Sequence, residues 1–126
     1  MSRRDEFALQ DYLEHIQQAI SRIQSYLQDI DHASFLANEE KQDAVIRNLE
    51  VLGEAAGNIQ RYFPDFSAKH PDFPLKAAYG TRNALAHGYF KVDLDIVWRT
   101  VERDLPDMEV QVENIIQSLN LGTRNL

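Results

Sequence analysis

The chain has 126 residues, no cysteine and a formal net charge of −7. Its length fits one domain, and we expect a single helical domain over residues 1–126. The lack of cysteine excludes disulfides, thiolate catalysis and cysteine-ligated zinc. The acidic balance argues against a protein that coats a nucleic-acid duplex, so nucleic-acid binding would need a local basic spot.

The N-terminal sequence and the overall hydropathy predict a soluble, cytoplasmic protein. Residues 1–6 carry a basic pair with no apolar run behind it, which is not the pattern of a signal peptide. No stretch of the sequence approaches the roughly 20 apolar residues of a membrane span. We therefore expect no association with a membrane.

Two long amphipathic helices are predicted in the first half of the chain. The first runs from about Asp5 to Asp29, because apolar residues recur there at alternating steps of four and three. Its predicted buried seam is Leu9, Leu13, Ile16, Ile20, Ile23, Leu27 and Ile30, widened by Phe7, Tyr12, Ala19 and Tyr26. Residues 31–34 are typical of a connection. Asn38 is a favourable N-cap for the second helix, which Pro64 ends. The seam of that helix is Val45, Leu49, Leu52, Ala56, Ile59 and Phe63.

Gly53 and Gly57 lie inside the second predicted helix, where each glycine costs roughly 1 kcal/mol relative to alanine. Such glycines indicate the close approach of either another helix or a bound group. Tight helix packing is the commoner of the two reasons, and spacing alone does not choose between them.

A proline-rich segment, 64–74, separates the second helix from a short third one. We expect this segment to be a loop anchored by Phe66 and Phe73. The third helix runs from about Pro74 to Ala86, with Gly88 as a plausible end. Its expected buried residues are Leu75, Ala78, Tyr79 and Leu85.

The fourth predicted helix begins after Asp93, a favourable N-cap, and Pro106 should kink or break it near Arg103. Its seam is Leu94, Trp98, Val101, Leu105, Met108, Val112, Ile115 and Leu119. Strand-like alternation is absent from the sequence. The sequence therefore predicts an all-α, up-and-down four-helix bundle with a kinked or broken last helix.

The stretch 80–90 departs from this amphipathic pattern, since it places Arg82, Asn83, His87 and Tyr89 within eight positions. Arginine binds phosphate through a planar fork of donors and keeps its charge. Histidine moves a proton readily near neutral pH. An arginine and a histidine together can therefore act on a phosphodiester. More often, however, such an arginine only forms a surface salt bridge and such a histidine only ends a helix.

Helical geometry limits how the two residues can meet. Arg82 and His87 are five positions apart, so on a straight helix they point about 140° from each other. Asn83 and His87 share one face, as do Arg82 and Tyr89. Unwinding near Gly88 or a twofold dimer could bring Arg82 and His87 together, and the spacing does not choose between these geometries.

The order Arg82, four residues, His87, one residue, Tyr89 resembles the defining motif of the HEPN superfamily, in the form carried by HepT-like toxin ribonucleases. Asn83 after the arginine also matches. The segments 47–56 and 93–106 resemble the second-helix and fourth-helix signatures of the same family. One departure is Leu75, where many relatives carry tryptophan, which we interpret as a change in the core.

The resemblance implies a homodimeric, HEPN-like endoribonuclease that needs no metal or other cofactor, cuts RNA between the protomers and spares DNA. Transfer RNA is one candidate substrate. Arg82 would bind the scissile phosphate, His87 would act as general base or acid, and Asn83 would orient the phosphate or the imidazole. Glu54 and Arg47, seven positions apart on one helix face, would either support this site or pair with each other.

The resemblance also implies a toxin–antitoxin pair of the type VII kind. A minimal nucleotidyltransferase antitoxin would neutralise the toxin by adding AMP to Tyr89, although Tyr89 could instead simply pack against the fourth helix. His15, His32 and His70 are expected to be surface or structural histidines. The alternative function is a non-catalytic, nucleotide-binding or substrate-binding helical subunit of a nucleotidyltransferase complex.

Overall fold

The computed structural model describes the backbone of residues 3–87 and 92–124 and the side chains of residues 4–87 and 92–121. Within these ranges all regular structure is helical, which confirms the predicted all-α class. The helices are α1 (Arg3–Tyr26), α2 (His32–Leu36), α3 (Glu39–Tyr62), α4 (Pro64–Lys69), α5 (Leu75–His87), α6 (Leu94–Arg99) and α7 (Leu105–Arg124). A π-helical turn, Thr100–Asp104, joins α6 to α7. No helix in the described ranges is long and apolar enough to cross a membrane.

The core lies where α1, α3 and α7 meet. Helix α3 packs on α1 along one side and on α5 along the other, and α1 also packs on α7. The predicted seams of α1 and α3 are confirmed, and their most buried members are Leu13, Ile16, Ile20, Ile23, Val45, Ala56 and Ile59. The seam of the last helix is confirmed at Leu105, Met108 and Val112, whereas Val97 and Ile116, which lie outside the predicted seam, are also buried. Phe7 was expected to widen the α1 seam, but it is 54% exposed because it lies beside the stripe.

Side-chain caps determine where several helices begin. Asn38 Oδ1 accepts a hydrogen bond from the Lys41 amide at 3.0 Å, and Asp93 Oδ1 accepts from the amides of Asp95 and Ile96. Both predicted N-caps are therefore confirmed, since each satisfies amides that have no partner within the helix.

Two short helices correct the sequence-based interpretation. Residues 31–34 are more than a connection, because Asp31 Oδ1 accepts from the Ser34 amide at 2.8 Å and caps α2. This hydrogen bond lowers the pKa of the Asp31 carboxyl from its usual value.

Segment 64–74 is not all loop, since Pro64 ends α3 and also starts α4, where its fixed φ suits a first helical turn. Phe66 and Phe73 are buried, as predicted.

Helix α2 is attached to α6 through His32. The imidazole stacks on Trp98 with ring centres 5.4 Å apart, and its Nε2 lies 2.9 Å from Asp95 Oδ1. Phe35 also contacts Trp98, at 5.4 Å between ring centres. These contacts confirm that His32 is a structural histidine.

The last long helix is broken where Pro106 predicted it. Proline has no N–H and its ring collides with the carbonyl four residues earlier, so a regular α-helix cannot pass through it undisturbed. The Leu105 amide bonds to the Thr100 carbonyl, five residues back, which is the hydrogen bond of a π-helix. Helix α7 then starts at Leu105.

Candidate functional site

Two glycines of α3 form the contact surface for α5. A Cβ atom added at Gly53 would overlap Arg82 Cβ and lie 2.7 Å from the Ala78 carbonyl oxygen. A Cβ atom added at Gly57 would overlap the Tyr79 ring, with its Cε1 atom 2.6 Å away. The glycines are therefore explained by tight helix packing, one of the two reasons that the sequence left open.

Helix α5 is covered mainly on its α3 side. Among the described residues of α5, Leu75 is the one that is buried. Ala78 and Leu85, which were also expected to be buried, pack against the core but are only partly buried. The prediction that Tyr79 is buried was wrong, since 39% of its surface is exposed. Its ring lies against Gly57, so the residue contacts α3 while part of its surface remains exposed.

Arg82 is held by partners on two sides. Its Nε lies 3.2 Å from Glu54 Oε2 on α3, and its Nη1 donates to Asn83 Oδ1 at 2.9 Å. A guanidinium carries five N–H donors. The donors on Nη2 make no hydrogen bond to any residue in the described ranges.

The hydrogen bond to Asn83 brings the guanidinium toward His87. Helix α5 stays helical from Arg82 to His87, so the two residues do point about 140° apart and no unwinding joins them within the described chain. Asn83, however, lies one turn before His87, and residues four apart have Cβ atoms about 5–6 Å from each other. One hydrogen bond and one helical turn thus connect the guanidinium to the imidazole.

Tyr79, Asn83 and His87 follow one another at intervals of four, so they lie along one side of α5. We call these three residues the α5 strip. His87 and Tyr79 are exposed, and Asn83 is partly exposed. A phenol, an amide and an imidazole are therefore presented together on an accessible surface.

A groove of about 410 Å³ borders Arg82 on the side of α1 and α3. Its lining residues are Tyr12, His15, Arg47, Glu50, Val51, Glu54, Ala55, Asn58 and Arg82. Glu54 and Arg47 were expected either to support the Arg82–His87 site or to pair with each other, and the ion pair that Glu54 forms is with Arg82. Within the described ranges Arg47 makes no ion pair with Glu54, although both face this groove.

Several groove residues were missed by the sequence reasoning. His15, expected to be a surface or structural histidine, is exposed, and it lines the groove that contains Arg82. Asn58 and Tyr12 belong to no motif that could have identified them.

Of the other residues singled out in the sequence, Tyr89 and Gly88 lie outside the described residues. His70 contacts Phe66, with ring centres 4.4 Å apart, away from this groove.

Comparison with known proteins identifies the family of this chain. The family model described as "Ribonuclease HepT-like" matches residues 16–115. A protein named "Probable ribonuclease HepT" from Thermococcus cleftensis is 39% identical over 105 residues, covering 83% of this chain and 93% of that protein. A "Putative RNase" from Methanocaldococcus jannaschii is 37% identical over 113 residues, covering 90% of this chain and 98% of the relative. No solved structure gives a significant match. The chain belongs to the HepT-like ribonuclease family of the HEPN superfamily.

Proposed function

We propose that this chain is an endoribonuclease whose reactive groups are Arg82, Asn83 and His87. The observation that carries the proposal is the Arg82–Asn83 hydrogen bond, which directs a permanently charged guanidinium to the side of the helix that bears His87. The relatives named as ribonucleases support the choice of RNA as substrate.

In the proposed reaction the 2′-oxygen of a ribose attacks the adjacent phosphorus and the bond from phosphorus to the 5′-oxygen breaks. The 2′-hydroxyl loses its proton and the departing 5′-oxygen gains one, and His87 carries out one of these transfers. Arg82 stabilises the charge that builds up on the phosphoryl oxygens. The products are a 2′,3′-cyclic phosphate and a 5′-hydroxyl. Because the nucleophile belongs to the substrate, the step requires no metal and DNA is resistant.

Glu54 and Arg47 have supporting roles in this proposal. Glu54 holds the Arg82 side chain from α3, so that the guanidinium keeps one orientation while the phosphate reacts. Arg47 is exposed at the same groove and adds positive charge in a chain whose net charge is −7. The lining also contains Glu50 and Glu54, so the positive charge offered to a phosphate there is confined to the guanidinium groups of Arg47 and Arg82.

We further propose that the protomer is a four-helix bundle built on the long helices, and that two protomers pair to enclose RNA. In support, α5 packs extensively on α3 alone, so no other described helix covers most of the side that faces away from α3. A twofold pair formed through this side would place two α5 strips at one cleft. Sedimentation of the purified chain tests this pairing, and a monomer at micromolar concentration would contradict it.

The proposal includes control by a nucleotidyltransferase antitoxin through Tyr89. The adduct would carry a phosphodiester anion seven positions after Arg82, where it would compete with RNA phosphate for the arginine. Incubation with such a partner and ATP should add mass in multiples of AMP to the wild-type chain. Addition that persists in Tyr89→Phe would contradict the assignment of this tyrosine.

Cleavage of RNA in the presence of EDTA tests the central proposal. We expect the wild-type chain to cut RNA, whereas Arg82→Ala and His87→Ala each abolish cutting. Arg22→Ala, which removes an exposed arginine on α1, is the matched control and should remain active. RNA with a 2′-deoxyribose at the cut position should be resistant. Activity that survives both alanine substitutions would refute the proposed site, and intact RNA with the wild-type chain would favour a non-catalytic binding subunit.

A further inference from the structure

We infer that Tyr79 is a substrate-binding residue on which an RNA base stacks, next to the phosphate held by Arg82. This inference rests on the proposed ribonuclease function and extends it from the reacting phosphate to an adjacent nucleotide. Tyr79 belongs to none of the motifs described above, and the sequence pattern places it in the core. The structure points to its role through three features.

The first feature is how the Tyr79 ring is held. Gly57 has no side chain, and the ring occupies the place where a Cβ atom would be. Contact with the α3 backbone thus restrains the ring, while 39% of the residue remains exposed. A restrained aromatic ring with one accessible side can stack a base at little cost in side-chain entropy.

The second feature is the distance along α5. Tyr79 is one turn before Asn83, the residue that accepts the Arg82 hydrogen bond, and one turn of helix is about 5.4 Å long. Arg82 and Tyr79 contact α3 through Gly53 and Gly57, which are also one turn apart. The phosphate-binding donors and the exposed ring are therefore neighbours on the same part of the protein.

The third feature is a cavity of about 320 Å³ beside the ring. It is lined by Glu54, Gly57, Asn58, Gln60, Arg61 and Tyr79. Asn58 and Gln60 offer amide donors and acceptors of the kind that read base edges, and Arg61 offers a cation for a flanking phosphate. Single-stranded RNA is recognised in this way, with the base stacked on an aromatic ring and its edge hydrogen-bonded to polar side chains. The partner is thus an unpaired nucleotide rather than a duplex.

The test is binding of a single-stranded 2′-O-methyl RNA, which has no free 2′-hydroxyl and cannot be cut, measured by fluorescence anisotropy. Tyr79→Leu keeps an apolar side chain on Gly57 but removes the aromatic face, and Tyr79→Phe keeps that face. We expect the dissociation constant to rise roughly 5- to 150-fold in Tyr79→Leu, the range for loss of one stacked base, and to change less than about threefold in Tyr79→Phe. Phe7→Leu is the matched control, since Phe7 is an exposed aromatic outside the cavity.

A second readout separates substrate binding from a structural role. With cleavable RNA, Tyr79→Leu should raise KM while kcat falls much less, and its melting temperature should stay close to that of Tyr79→Phe. Equal RNA affinity of Tyr79→Leu and the wild-type chain would overturn the inference while leaving the ribonuclease function intact. So would an equal loss in Tyr79→Phe and Tyr79→Leu, which would implicate the hydroxyl rather than the ring. Absence of cleavage by the wild-type chain would overturn the proposed function, and the anisotropy comparison would still decide whether Tyr79 binds RNA.

Discussion

Replacing Gly53 by alanine tests the contact between α3 and α5 on which the position of Arg82 depends. Alanine gains about 1 kcal/mol of helix propensity over glycine. The new methyl group, however, would overlap Arg82 Cβ and lie 2.7 Å from the Ala78 carbonyl oxygen. The Ala78 oxygen is a backbone atom of α5, and Arg82 Cβ is bonded directly to that backbone, so neither atom can move away by a side-chain rotation. Overpacking of this kind costs about 1–3 kcal/mol. Because two such close contacts would form at once, we expect a cost at the upper end of this range, about 2–3 kcal/mol, and hence a net loss of about 1–2 kcal/mol in the free energy of unfolding.

For a chain of this size, that loss lowers the melting temperature by about 3–8 °C, as measured by circular dichroism. Moving α5 also displaces the guanidinium, and a shift of about 1 Å at a reacting group can cost about 100-fold in rate. The matched control is Gly80→Ala, since among the described residues nothing beyond the neighbouring helix backbone lies within 4 Å of the Cβ position at Gly80, and the variant should be at least as stable as the wild type. A Gly53→Ala variant that melts at or above the wild-type temperature would show that the proposed steric contact is unimportant.

Three further predictions follow from the contacts of named residues. Glu54→Gln should lower kcat for RNA cleavage about tenfold without raising KM, because Arg82 loses a charged partner, while Glu50→Gln in the same groove should stay within about twofold of wild type. Mixing Arg82→Ala with His87→Ala subunits should not restore cleavage, because one helix carries both groups; recovered activity would show that the pair is formed across two protomers. Asp31 has a lowered pKa, so its ionised form stabilises the folded state above the ordinary value of 3.8, and this contribution is lost as pH falls through the folded-state pKa. The difference in melting temperature between wild type and Asp31→Asn should thus shrink on acidification, and a constant difference would contradict the role of the charge.

The sequence by itself determined the fold class, the buried seams of α1 and α3, and the family. Apolar spacing of three and four depends only on local helix geometry, so the buried faces of α1 and α3 could be predicted without knowing what covers them. The caps at Asn38 and Asp93 and the break before Pro106 were predictable for the same reason, since each acts on its own backbone. The motif at 82–89 identified the family because the order and spacing of its residues can be read directly from the sequence.

Only the tertiary structure decided which residues surround Arg82. Its contact with Glu54 and its position over Gly53 join two helices that are distant in the chain, and no local pattern specifies such a pairing. Tyr79 shows most clearly what the sequence alone could not predict. Helical spacing placed it on the inner side of α5, but the close approach to Gly57 leaves its ring at the edge of the contact and exposed. How near two helices lie depends on the side chains of both, and therefore this site becomes visible only when α3 and α5 are seen together.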